Sequence, residues 1–121
     1  MVHEEQEFTE VEIREGVKFE DGGVYSGQWK DGKRHGQGVM DWPDGSKYDG
    51  QWKNDQCHGK GVYWHSNGDK HDGEWRNDKA HGYGSFIHGN GSQYQGMWEN
   101  DFQHGKGIET WKDGSSYVGF Y

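Results

Sequence analysis

The chain has 121 residues and a net charge of −8; it contains no leucine and one alanine, against 19 aromatic residues. With an aliphatic stock of seven valines and three isoleucines, a helical bundle is excluded and a two-layer α/β core is disfavoured, because both need branched aliphatic bulk between their elements. Residues 1–24 hold eight acids against two bases, and no basic run exceeds Lys33–Arg34. Nucleic acid is therefore excluded as a charge-driven partner, and anionic phospholipid is weakly supported.

Cys57 is the only cysteine, so no internal disulfide can form and a reducing, cytoplasmic setting fits best. The sequence shows neither a signal-peptide pattern nor an apolar run of membrane length.

In chain order, residues 1–16 read as an acidic, mobile segment. Thr9 to Glu12 has the spacing of a capping box, but the density of acids argues against a helix there. In "YSGQW" the residues Tyr25, Gly27 and Trp29 alternate with Ser26, Gln28 and Lys30, the period-2 pattern of a strand with unlike faces. "KDGKRH" follows as a turn, "GQGVMDW" as a second strand, and "PDGSK" as a turn in which Asp-Gly supplies positive φ. "NGS" at Asn90 to Ser92 matches a glycosylation acceptor but reads as another such turn.

The pattern then repeats every 23 residues. Tyr25, Tyr48, His71, Tyr94 and Tyr117 share one column; Gly27, Gly50, Gly73, Gly96 and Gly119 share the next; Trp29, Trp52, Trp75 and Trp98 follow, with Tyr121 in fifth place. Behind them run His35, His58, His81 and His104, then Gly36, Gly59, Gly82 and Gly105, then Gly38, Gly61, Gly84 and Gly107. "HGQG" after Lys33–Arg34 has the look of a phosphate loop. It recurs in every unit without the third glycine of a dinucleotide fingerprint or the Gly-Lys-Ser/Thr of a P-loop, so its glycines read as architectural. The predicted fold is all-β: a single-layer, elongated antiparallel sheet of consecutive hairpins. Large rings lying over glycine backbone would supply the burial that an aliphatic core would otherwise give. An odd period requires one of the two turn types to hold an odd number of loop residues or a bulge, and the Asp-Gly turn is the expected place.

The unit Tyr-x-Gly-x-Trp-x-x-Gly-x-x-His-Gly-x-Gly resembles the MORN (membrane occupation and recognition nexus) repeat. The resemblance covers full units 25–47, 48–70, 71–93 and 94–116 and a partial unit 117–121. Residues 17–24, "VKFEDGGV", resemble the second half of a preceding unit, so the array is expected over 17–121. The mid-turn glycine is kept at Gly32 but replaced by Asp55, Asp78 and Asp101. Arrays of this family form curved single sheets that dock helices or extended peptides of cytoskeletal, ciliary and motor proteins.

Neither catalysis nor a cofactor is indicated. Equivalent histidines two strands apart lie about 9–10 Å from one another, too far to share a zinc ion, so the histidine column is expected to close its turns by hydrogen bonds. His65, His71 and His88 replace one flat ring with another. Cys57 and His58 point to opposite faces of a strand and cannot form a nucleophile pair.

Binding residues are sought where a column departs from its own average. Tyr63 and Phe86 (with Met40 and Glu109) and Trp42 and Trp111 (with His65 and His88) are expected on the ring-bearing face, as partner contacts or as part of the fold. The reverse face should be polar, and is broken by Trp64, Tyr83, Ile87 and Met97. Those four are a candidate contact patch, unless the "EFTEVEI" segment, with Phe8, Val11 and Ile13, folds back over them. The resulting expectation is a non-enzymatic scaffold that binds a protein partner in the cytoplasm, at the cytoskeleton or cilium. The alternatives are the regulatory or localising arm of a larger enzyme, such as a phosphatidylinositol-phosphate kinase or a protein-lysine methyltransferase, and a phospholipid-binding attachment module. The oligomeric state and the partner are open.

Overall fold

The computed structural model describes residues 11–121, which form one sheet of ten antiparallel strands in sequence order. The strands are β1 (Val11–Lys18), β2 (Val24–Lys30), β3 (Lys33–Asp41), β4 (Lys47–Lys53), β5 (Gln56–Trp64), β6 (Lys70–Arg76), β7 (Lys79–Ile87), β8 (Gln93–Glu99), β9 (Phe102–Thr110) and β10 (Ser116–Phe120). At about 4.8 Å per strand the ribbon runs about 45 Å. There is no helix among the described residues.

Two kinds of turn alternate. The first joins β2 to β3 through Asp31–Gly32 alone, with φ of 52° and 76°. Its successors Asn54–Asp55, Asn77–Asp78 and Asn100–Asp101 also have positive φ at both residues. Two such residues make a tight hairpin turn whose twist matches that of the flanking strands. The expected turn "KDGKRH" is thus longer than the real one, and the second strand begins at Lys33. The other turn is a five-residue loop, 42–46, closed by Trp42 N–H donating to Ser46 O at 3.0 Å. Asp44 Oδ1 accepts from Ser46 N at 2.9 Å, and Gly45 takes φ of 94°. Asn90–Ser92 closes the equivalent loop in the same way. The odd period is absorbed here, at the Asp-Gly turn.

Between the turns, each first hairpin carries a bulge. Gly27 pairs with Gly38 and Trp29 with Arg34, so Gln28 alone faces residues 35–37. Two extra residues leave the alternation of faces unchanged. Gly36, inside the bulge, has φ of 75°, and a Cβ there would strike Gln28.

The N-terminal boundary differs from expectation. Residues 11–16, read as part of a mobile acidic segment, belong to β1, whose Arg14 pairs with Gly27 and whose Val17 pairs with Tyr25. β1 is the second strand of the half unit: Val17 occupies the place of Met40, one period back. Val11 and Ile13 therefore line the far edge of the sheet beside β2 and do not fold back over Trp64, Tyr83, Ile87 and Met97. The free hydrogen-bonding edge of β2 explains the pairing, since an uncovered edge recruits the nearest extended chain. Phe8 and Thr9 lie outside the described residues.

One face of this sheet replaces a core. Tyr25, Tyr48 and Tyr94 are each 1% exposed or less. Tyr48 is wedged edge-on between Trp52 of its own unit (centroids 5.2 Å apart) and Trp75 of the next (5.6 Å). Tyr25, His71 and Tyr94 repeat the arrangement, ending on Tyr121 at 5.1 Å. Each tyrosine lies across its partner strand's glycine, so that a Cβ at Gly38, Gly61 or Gly107 would collide with the ring of Tyr25, Tyr48 or Tyr94. Edge-to-face pairs contribute about 0.5–1.5 kcal/mol each beyond burial.

Candidate partner-binding surface

Successive units are joined by two sets of hydrogen bonds on the ring face. Trp52, Trp75 and Trp98 donate Nε1–H to the carbonyls of Gly38, Gly61 and Gly84 in the preceding unit, at 3.0, 2.9 and 3.2 Å. Trp29 Nε1 is buried without a partner among the described residues; the place equivalent to Gly38 is Glu15, in the irregular stretch of β1. The second set comes from the turns. Asp55, Asp78 and Asp101 accept from the backbone N–H of Arg34, Cys57 and Ala80 at 2.8, 2.7 and 2.8 Å. These aspartates replace the repeat's glycine because each carboxylate caps a strand one unit behind it. Gly32, one period before Asp55, carries no carboxylate.

A second line of rings stands beside the tyrosines. Trp42 lies 5.8 Å from Tyr63, Tyr63 4.7 Å from His65, His65 5.7 Å from Phe86, and Phe86 4.8 Å from His88. Trp42, Tyr63 and Phe86 are half-buried, while Trp111, at the far end of the line, is exposed. Between the two lines open adjoining cavities of about 340 and 390 Å³, which share Tyr63, Trp75 and Asp78 as walls. His71 lines the larger one; burial holds its imidazole down to about 4, well below the ordinary histidine value, so it stays neutral near pH 7. Burial likewise pushes the hydroxyl of Tyr25 up to about 12 and raises the Cys57 thiol. Both remain protonated and inert.

The column Arg34, Cys57, Ala80 was not singled out in the sequence, yet it forms the floor of this trough, with Cys57 and Ala80 buried. The one sequence signal for it is the aspartate that replaces glycine 21 residues later. The histidine column behaves differently from expectation. His81 Nδ1 is buried with no partner among the described residues, and only His104 reaches a carboxylate, Glu99 at 3.3 Å. In the other three units the two-residue turn closes the hairpin on its own.

On the reverse face, Tyr83 and Met97 are directly opposite one another on β7 and β8 and are 53% and 43% exposed. Ile87 is four residues further along β7, about 13 Å away. Trp64 lies in the row of Ile87 with Lys70 between them, and Lys47 Nζ sits 5.5 Å over its ring. The four residues thus form two separate pairs. Ile108, Val118 and Phe120, which the sequence reading did not select, extend the exposed apolar surface toward β10. Met97 also ends a polar column: Gln28 and Gln51 accept from the bulge N–H groups of Gln37 and Lys60 at 2.7 and 2.9 Å, and a thioether is a poor acceptor for that bond.

The family model of the MORN repeat matches residues 25–47, 48–70, 71–93 and 94–116. The chain belongs to the MORN-repeat family, whose members are repeat proteins often involved in binding. No curated protein matches it.

Proposed function

We propose that the protein is a non-enzymatic scaffold that docks a helix or extended segment of a protein partner along its ring face. The observation that carries this reading is the pair of adjoining cavities between the two lines of rings. They form a trough of rigid aromatic anchors, the side chains that dominate binding energy where they are desolvated. Carboxylates of the turns border it and would steer a basic partner. A cytoskeletal or ciliary partner, and with it a cytoplasmic location, follows from the family's habits. Attachment to anionic lipid is opposed by the net charge of −8, since such membranes attract basic segments.

The test is photo-crosslinking from a benzophenone side chain at position 86, on the ring face, or at position 83, on the reverse face, in cytoskeletal extract. Adducts from position 86 alone support the reading. Adducts from position 83 alone would move the binding site to the Tyr83–Met97 face.

A further inference from the structure

At the first junction between units the trough is filled by the chain itself. The guanidinium of Arg34 is held between two rings, 4.7 Å from the centroids of both Phe19 and Trp52. Its Nε donates to Asp55 Oδ1 at 3.0 Å and its terminal nitrogen to Asp55 O at 3.0 Å. One period on, the same walls recur as Trp42, Trp75 and Asp78, with Cys57 in place of the arginine. Another period on they are His65, Trp98 and Asp101, with Ala80. The backbone frame is unchanged: Asp78 N donates to Cys57 O at 3.0 Å and Asp101 N to Ala80 O at 2.9 Å, as Asp55 N does to Arg34 O at 3.0 Å. What differs is the side chain on the floor. Cys57 and Ala80 are too short to reach between the rings, and no cationic side chain pairs with Asp78 or Asp101 among the described residues.

From this self-occupied copy we infer that the two copies floored by Cys57 and Ala80 are guanidinium sites, and that the docked partner inserts two arginines, one against Trp42, Trp75 and Asp78 and one against His65, Trp98 and Asp101. The inference rests on the ring-face reading above and specifies its chemistry. Arginine suits the site better than lysine because its planar head stacks on both rings while its edge donates to a carboxylate and a carbonyl together. Successive sites are two strands apart, about 9–10 Å, close to the rise of about 10.5 Å between residues i and i+7 of a helix. The net charge of −8 complements such a segment.

The probe is an alanine-based helical peptide with arginine at i and i+7, titrated into the full chain, beside twins carrying citrulline or lysine at both places. The arginine peptide is expected to bind at least about tenfold tighter than either twin. Asp78→Asn with Asp101→Asn keeps an oxygen for each backbone cap and should erase most of that advantage. Cys57→Arg should fill the first of these two sites from within, as Arg34 does, and weaken peptide binding by about tenfold without loss of the cooperative melt. Equal binding of the arginine and citrulline peptides, or no binding of either, would overturn the guanidinium assignment; equal binding of lysine would overturn the preference for arginine. Crosslinks from position 86 seen alongside such a result would leave ring-face docking standing. Crosslinks from position 83 alone would remove both.

Discussion

On the ring face, Tyr48 touches a tryptophan of its own unit and one of the next, lies over Gly61, and donates its hydroxyl to Gln51 O at 3.0 Å. On the reverse face, Tyr83 is half-exposed and stands opposite only Met97. The same residue type, three strands apart, holds the fold in one place and decorates it in the other. A single sheet has no interior, so its stability must be concentrated on one side, and the other side is free to vary. Burial of the rings also fixes the trough between them, so the face proposed to dock a partner is the one that stabilises the protein.

The sharpest way to break this comparison is to truncate one residue on each side. Tyr48→Ala should cost about 3–5 kcal/mol, the range for emptying a buried aromatic site, read from urea unfolding. A loss below about 1 kcal/mol would show that the rings are not the core.

The next effect comes from His71, which takes the tyrosine's place in the third unit and is 3% exposed. Its folded value of about 4 lies below the ordinary 6.5 because burial disfavours the charged ring. The unfolded chain therefore binds a proton first as pH falls. Stability from this group is full above about pH 6.5, declines between 6.5 and 4, and is level below, with a total loss of about 3 kcal/mol. His71→Tyr, able to donate to Glu74 O as Tyr48 does to Gln51 O, should remove that slope in urea melts at pH 7 and pH 4.5. A slope that persists in the variant would assign it to other groups.

The smallest effect belongs to the reverse face. Tyr83→Ser and Met97→Gln should each move stability by about 0.5 kcal/mol or less, with Met97→Gln leaning toward a gain because an amide oxygen can cap the bulge N–H. Calorimetric melting checks it; a loss of several degrees in either variant would contradict the division between faces.

Much of this was legible in the sequence because the repeat columns map directly onto geometry. Tyrosine, glycine and tryptophan at alternate positions mark the ring face, and the odd period demands an odd loop or a bulge, which the five-residue Asp-Gly turn supplies. β1 was hidden because Ile13 and Glu15 stand where the later units have glycines, so the half unit lost its signature just where it begins to pair. The bulge was hidden for another reason: two inserted residues preserve the alternation of faces, and periodicity cannot see them. The floor of the trough escaped because Arg34, Cys57 and Ala80 share a position and no chemistry. Only the carboxylate that caps all three betrays the column. The division of the reverse patch into two pairs depends on which residues meet across strands, a matter of register rather than composition.

The claim beneath all of this is that tyrosines lying on bare backbone hold a one-layer sheet together. Gly61 and Gly89 both have φ outside the left-handed region, yet a Cβ at Gly61 would run into the ring of Tyr48, whereas one at Gly89 would meet Asn67 O at an ordinary 3.4 Å. Urea unfolding of Gly61→Ala beside Gly89→Ala isolates that contact from backbone strain. The predicted result is a loss of about 2 kcal/mol or more for Gly61→Ala and a change within about 1 kcal/mol for Gly89→Ala. Equal midpoints for the two variants would contradict it.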